Sequence, residues 1–253
     1  GFSEEKIKLQ EKKISTDKAN TWKEIEKWLE RISKFSEEIN VQLSEIQIKG
    51  TAKLDGFAGY DDGEKLYTRG DGNKGSDISR VFQRGLGILN DSERGQGPGE
   101  IVVKRSYFEG YLSNDFEYPR NFQASLIKEK ELDKFARDAI DAKAALFVPF
   151  KQLPFWKGNI DEFKNQFLDI VIKLEEGVDF DIDGVVFEIV NPELKEFMGS
   201  NRKFHRWQIA YKENKEKAQV KVISVTAQVG RTGKITPVAE LEPTQLSGAT
   251  IYR

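Results

Sequence analysis

The stretch IQIKGTAKLDGFAGYDDGEKLYT, Ile46–Thr68, decides the fold. It consists of short runs separated by Gly and Asp-Gly, and Asp62-Gly63 stands where a hairpin turn would join Gly56–Tyr60 to Lys65–Thr68. The segment therefore reads as antiparallel strands. Upstream, Trp22, Ile25, Trp28, Leu29 and Ile32 recur at spacings of three and four, which predicts an amphipathic helix starting at Thr21 with both tryptophans in the core. Downstream, residues 69–98 are Gly-rich and read as loop with a short helix over 77–83. Strands are expected at 100–104, 145–150, 183–190 and 206–211, and helices at 128–142 and 160–174. From Val220 the alternation Val220-Lys221-Val222-Ile223-Ser224-Val225, with Gly230, Gly233 and Gly248 as turns, reads as a second all-β unit too short for a five-stranded barrel. The whole reads as α+β, with mostly antiparallel sheets.

Composition narrows the chemistry. The chain has 253 residues, 38% hydrophobic and 32% charged, which is ordinary for a globular protein. It has no Cys and one His, His205, so thiolate zinc sites, disulfides and His-rich metal sites are excluded from it. No apolar run approaches the roughly 18–20 residues that span a bilayer, and there is no signal-peptide pattern, so a soluble, cytoplasmic protein is expected; a monomer is expected as well. The formal net charge of -2 means that any nucleic-acid surface must be local. The Lys/Glu-rich runs 3–13 and 128–143 read as solvated helix faces.

Lys53-Leu54-Asp55-Gly56 is the candidate reactive stretch. A lysine attacks phosphorus only as the neutral amine, which calls for partial burial and nearby positive charge. Alone the tetrapeptide is weak, since Asp-Gly is a common turn. Further carboxylates and cations follow in a set order: Glu100 in Gly99-Glu100-Ile101-Val102, Asp183 in Asp183-Gly184-Val185-Val186, and Lys212 closing Arg206-Trp207-Gln208-Ile209-Ala210-Tyr211-Lys212. In that order they match the nucleotidyltransferase pattern of polynucleotide ligases and capping enzymes.

The finer text resembles one branch, the NAD-dependent DNA ligases. The resemblance rests on Ile14 to Ala19, Thr68-Arg69-Gly70-Asp71-Gly72, Pro119-Arg120-Asn121, Phe180 to Val186, Arg206 to Lys212, Gln228 to Ala239, and Leu241-Glu242-Pro243. It implies an adenylation (nucleotidyltransferase) domain, an ATP-grasp-like ligase core, over residues 1–217, and the incomplete start of an OB-fold domain over 218–253. By the same resemblance Lys53 carries AMP taken from NAD, with Mg²⁺ as cofactor and no protein metal ligand assigned. Ser15, Thr16, Asp55, Gly56, Arg69, Glu100, Val186 and Lys212 would contact the nucleotide, with Glu100 on the ribose and Ser15 and Thr16 at the adenine end. Arg120 and Arg206 would approach the DNA phosphates or the nucleotide, the partner being nicked double-stranded DNA in replication and repair. The bland alternative for Glu100 and Lys212 is a surface ion pair, and for His205 a strand-end residue.

Four positions depart from the family pattern. Thr51 stands where the family has Glu, and Glu188 where it has Lys. An Arg expected before Asp183 is replaced by Glu175 or absent, and a second Arg after Pro119-Arg120-Asn121 is replaced near Ile127. The family's nicotinamide-binding segment, zinc finger, helix-hairpin-helix repeats and BRCT domain have no counterpart in these residues, so this piece alone is expected to seal nicks poorly. Three readings follow: an NAD-dependent ligase core, an ATP-dependent polynucleotide ligase on the same core, or a nucleotide- or DNA-binding relative that has lost catalysis.

Overall fold

The computed structural model describes residues 6–8, 14–71, 73–213, 220–230, 233–246 and 249–252. Gly72, Gly248 and much of the 3–13 run lie outside them. Within that run Lys6–Lys8 is a strand paired antiparallel with Lys74–Ser76, not a helix face. The chain divides into two compact units, Gly1–Lys212 and Glu213–Arg253.

The first unit holds two five-stranded sheets. The first runs in the order Phe155–Asn159, Gln47–Leu54, Ile182–Ile189, Gln208–Tyr211, Lys18–Ala19, antiparallel except at the last pairing. One of its faces carries Ile48, Val185, Phe187, Ile189, Ile209 and Tyr211, and the helices Trp22–Glu38, Ile160–Glu176 and Pro192–Met198 add their buried residues to the same core. Ring contacts such as Phe163–Phe187 at 4.9 Å and Phe167–Tyr211 at 4.9 Å fill that core. The first helix extends six residues past Ile32 and is capped by Thr21, whose hydroxyl accepts from the Glu24 N–H. Trp28 is buried and Trp22 half-buried on Phe163 and Phe167.

The second sheet runs Leu66–Tyr67, Phe57–Asp61, Gly97–Val103, Ala145–Pro149, Gly87–Ile88, with only the last pairing parallel. Asp62-Gly63 makes the expected hairpin turn, closed by the Asp62 N–H on the Lys65 carbonyl. The helices Pro119–Leu126 and Lys134–Asp141 pack on this sheet through Phe122, Leu126, Ala136 and Ala139. A third apolar cluster, Leu54, Val102, Leu146, Val148, Leu153 and Phe180, lies where the chain passes between the sheets.

Several elements differ from expectation. The 69–98 segment carries strands Lys74–Ser76 and Gly87–Ile88 and the helix Arg80–Gln83, elements too short for periodicity to declare. Pro119-Arg120-Asn121 is the first turn of a helix, because a proline at the first helical position loses no needed donor. The charged helix begins only at Lys134, where the Asp133 side chain accepts from the Ala136 N–H. The strand Phe155–Asn159 and the helix Pro192–Met198 had no clear sequence signal.

The second unit contains the hairpin Val222–Val229 with Ile235–Leu241 and the pair Thr244–Leu246 with Ala249–Ile251.

Candidate active site

The chain crosses from the first sheet to the second in two residues, Asp55 and Gly56, between the strands Gln47–Leu54 and Phe57–Asp61. Lys53 therefore sits at the last turn of one sheet before the chain enters the other. Alternation sets its direction: Ile48, Gly50, Ala52 and Leu54 are buried, while Lys49, Thr51 and Lys53 face the other way and stay partly accessible.

The adjacent strand contributes a carboxylate through an irregularity. Ile182 pairs with Leu54 and Val185 with Ala52, so one extra residue is accommodated between them, a β-bulge. Gly184 takes φ +91 there, and a Cβ on it would lie 2.2 Å from the Tyr211 carbonyl oxygen. Plain alternation would send Asp183 to the buried side with Val185 and Phe187. The bulge reverses the parity, and the Asp183 carboxylate meets Lys212 Nζ at 2.6 Å and Lys53 Nζ at 3.5 Å. Burial raises its pKa, but the two lysines outweigh that and hold it below the usual carboxylate value. The nearest charge to the candidate nucleophile is thus an anion with a second lysine beyond it, not the cation anticipated. Asp183 was legible as a motif residue, but its bridging position depends on the bulge.

On the other side the Asp55-Gly56 turn is tied down. The Asp55 N–H donates to the Asp181 carbonyl at 2.9 Å, the Gly56 N–H to Glu100 Oε1 at 3.1 Å, and Arg120 reaches the Asp55 carboxylate at 2.9 Å. A Cβ on Gly56 would lie 2.2 Å from the Ile101 carbonyl oxygen, so only glycine fits the approach. Glu100 is buried, and its pKa is pushed up to about 7, chiefly by desolvation and further by Asp55, against the opposing pull of the Gly56 N–H, Arg120 and Lys53. Burial, Asp55 and Asp183 also raise Asp181. A strand-end lysine, a bridged carboxylate and a buried carboxyl with spare acceptor capacity make a site able to hold a polar, phosphate-bearing ligand beside an amine.

The remaining predicted residues fall into three places. Val186 stands opposite Thr51 and Ala210, one layer from the lysines, and Glu188 opposite Lys49 and Gln208, one layer further. Ser15, Thr16 and Arg69 line a cavity of about 530 Å³ with Lys18, Arg202 and Phe204, and Arg69 donates to Ser15 Oγ at 3.3 Å. None of Lys53, Glu100, Arg120 and Lys212 lines that cavity. Arg206 donates to the Met198 carbonyl at 3.1 Å, at the end of the helix Pro192–Met198. Near Ile127, Arg80 and Arg84 from another helix donate to the Ile127, Lys128 and Glu129 carbonyls. Glu175 lies on Ile160–Glu176, the helix packed on the buried face of the first sheet, away from the lysines. His205 stacks on Trp207 at 4.6 Å, with Nδ1 2.5 Å from Ser200 Oγ.

Among the described residues no group of three or more His, Asp or Glu is placed to hold a metal ion. Nor, among the described residues, is any helix long and apolar enough to cross a membrane.

Comparison with known proteins adds two findings. Residues 219–253 match the family model of the NAD-dependent DNA ligase OB-fold domain. Proteins named DNA ligase align along the chain: 64% identity over 252 residues in Ruthia magnifica subsp. Calyptogena magnifica, covering 100% of this chain and 41% of that protein. The Shewanella baltica protein is 53% identical, over 98% of this chain and 38% of its own length, and the Anaplasma marginale (strain St. Maries) protein 31% identical, over 98% and 41%. The chain thus spans about two fifths of the length of these relatives.

Proposed function

We propose that this chain, a member of the NAD-dependent DNA ligase family, is the adenylating core of a DNA ligase, a nucleotidyltransferase domain over 1–217 followed by the first strands of the OB-fold over 218–253. The observation that carries the reading is the position of Lys53 between two fixed groups, the Asp183–Lys212 pair on one side and the Asp55–Gly56–Glu100 turn on the other.

In this reading the Lys53 amine attacks the α-phosphorus of NAD, the bond to the nicotinamide mononucleotide phosphate breaks, and the amine loses a proton as the lysyl-AMP forms. An oxygen of a DNA 5′-phosphate then displaces the lysine from phosphorus, and the 3′-hydroxyl finally displaces AMP. Such transfers are accelerated mainly by positioning and by neutralising charge on the transferred group. Lys212 is set to meet phosphate oxygens while Asp183 holds its ammonium in line. Glu100 receives the ribose, Val186 lies against the nucleotide, and the Arg69–Ser15–Thr16 cavity takes its adenine end. Mg²⁺ would travel with substrate phosphates, which it commonly does without an all-protein cage, and no step is assigned to it. Arg120, with a mostly exposed side chain, is the arginine better placed for DNA; Arg206 already spends one guanidinium nitrogen on the Met198 carbonyl.

Thr51 and Glu188, on the same sheet face as Lys53, support a second reading, a relative that binds nucleotide without transferring it. Intact mass after incubation with Mg²⁺ and either NAD or ATP separates these. One added AMP with NAD, absent in Lys53→Ala, is the expected result, and AMP already bound to the protein as purified counts equally. A gain with ATP alone assigns the ATP-dependent chemistry, and nucleotide binding with no adduct assigns the second reading.

A further inference from the structure

The strands Phe57–Asp61 and Gly97–Val103 pair with Phe57 opposite Ile101 and Ala58 opposite Glu100. Two residues further, the same register would put Asp55 opposite Val103. The Lys104 N–H bonds the Ala144 carbonyl on one side of its strand, so the Val103 N–H points to the other, where a continued ladder would find the Asp55 carbonyl. A side-chain amide occupies that rung instead. Gln123 Oε1 accepts from the Val103 N–H at 2.9 Å, and Gln123 Nε2 donates to the Asp55 carbonyl at 2.8 Å. The Gln123 side chain is fully buried, and its helix, Pro119–Leu126, also sends Arg120 to the Asp55 carboxylate one turn earlier.

A carboxamide suits this place because it has an acceptor and a donor on one rigid plane, as the missing peptide rung would require. With the amide inserted, the strands part while both backbone groups stay paired. The chain can then leave the first sheet at Leu54 and enter the second at Phe57. The Asp55 peptide is held from both sides, by the Asp181 carbonyl at its N–H and by Gln123 at its carbonyl, two residues from Lys53.

We propose that Gln123 is a positioning residue for lysine adenylation, an amide wedge that fixes where the Lys53 strand ends relative to Glu100; the proposal rests on Lys53 being the nucleophile. Without the wedge the backbone at Asp55 is free to close onto Val103 or drift, and the amine leaves its line of attack. Misplacements of about 1 Å cost on the order of a hundredfold in rate.

The test compares Gln123→Met, similar in volume but without the amide, and Gln123→Glu in the same chain with NAD and Mg²⁺. The Gln123→Met variant is expected to form lysyl-AMP about ten- to a hundredfold more slowly at saturating NAD, with KM little changed. In Gln123→Glu only the protonated carboxyl can both accept from Val103 and donate to Asp55, so the rate stays near wild type at low pH and falls through an added limb as pH rises. This limb tests the wedge even if Gln123→Met fails to fold, since a general loss of packing does not create it. Wild-type rates and an unchanged pH profile in both variants overturn the proposal. If the wild type forms no adduct with NAD or ATP and carries no AMP as purified, the adenylation reading has failed, and the wedge is judged by Val103 amide hydrogen exchange. Exchange at least about tenfold faster in Gln123→Met upholds the wedge, and an unchanged rate overturns it.

Discussion

Two buried carboxyl groups stand at opposite ends of the same strand pair, Asp61 beside Gly97 and Glu100 beside Ala58, and their surroundings pull them in opposite directions. Burial raises both. At Asp61 it is outweighed by Arg94, with Nε and one terminal nitrogen at 2.9 Å, and by the N–H groups of Gly63, Gly95 and Gln96, so the pKa falls below the usual value. Glu100 receives the Gly56 N–H and is pushed up to about 7. One end of the strand pair saturates its acceptor and works as a staple for the hairpin turn. The other leaves acceptor capacity unspent beside the candidate nucleophile, the pattern of a group waiting for a ligand.

The largest expected effect follows from cutting the staple. Asp61→Asn keeps the shape but leaves Arg94 without its counter-charge, and should cost about 3 kcal/mol in denaturant unfolding near pH 7 while lysyl-AMP formation per folded molecule stays unchanged. A cost below about 1 kcal/mol would mean that saturation contributes little and the contrast is one of geometry alone.

The two carboxyls also predict opposite slopes of stability with pH. Asp61, lowered by folding, contributes stability above its unfolded pKa of 3.8, and this is lost as pH falls through the folded value. Glu100, raised from 4.5 to about 7, contributes stability that is full below pH 4.5 and lost as pH rises to about 7. Glu100→Gln should flatten the curve over that window and leave the variant more stable than wild type at pH 8, by on the order of 3 kcal/mol, while weakening nucleotide retention. A slope that survives the substitution assigns the titration to another group, with Asp181 next in line.

Much of this was legible. The three-and-four spacing from Trp22 gave the first helix, and Asp62-Gly63 gave the hairpin, because both signals are local in the chain. Lys53 and Lys212 were readable as a pair of motif cations, but their meeting across Asp183 was not, because it depends on a one-residue bulge at Gly184 that reverses which face Asp183 occupies. Gln123 carried no signal, since a buried polar residue in a short helix is visible only once its two backbone partners, 68 and 20 residues away, are in place. The resemblance sends Arg206 toward phosphates, and in the structure one of its guanidinium nitrogens donates to the Met198 carbonyl, a contact set by the helix Pro192–Met198 that the sequence did not declare.

The smallest expected effect concerns a pair with the same separation as the staple. Arg120 and Asp55 also approach to 2.9 Å, but their side chains are 61% and 28% exposed, against 31% and 0% for Arg94 and Asp61. Water and salt screen the first pair, so Arg120→Ala should cost no more than about 1 kcal/mol, and most of that should vanish between 0.1 and 1 M salt, as the screening length drops from about 10 Å to about 3 Å. Its effect on lysyl-AMP formation should be larger than its effect on stability, because Arg120 holds the carboxylate of the turn that follows Lys53. Paired stability and adduct measurements on Arg120→Ala at both salt concentrations therefore separate a guanidinium that orients from one that staples. A salt-insensitive loss as large as that of Asp61→Asn would place both arginines in the same role and remove burial as the property that divides the two ends of the strand pair.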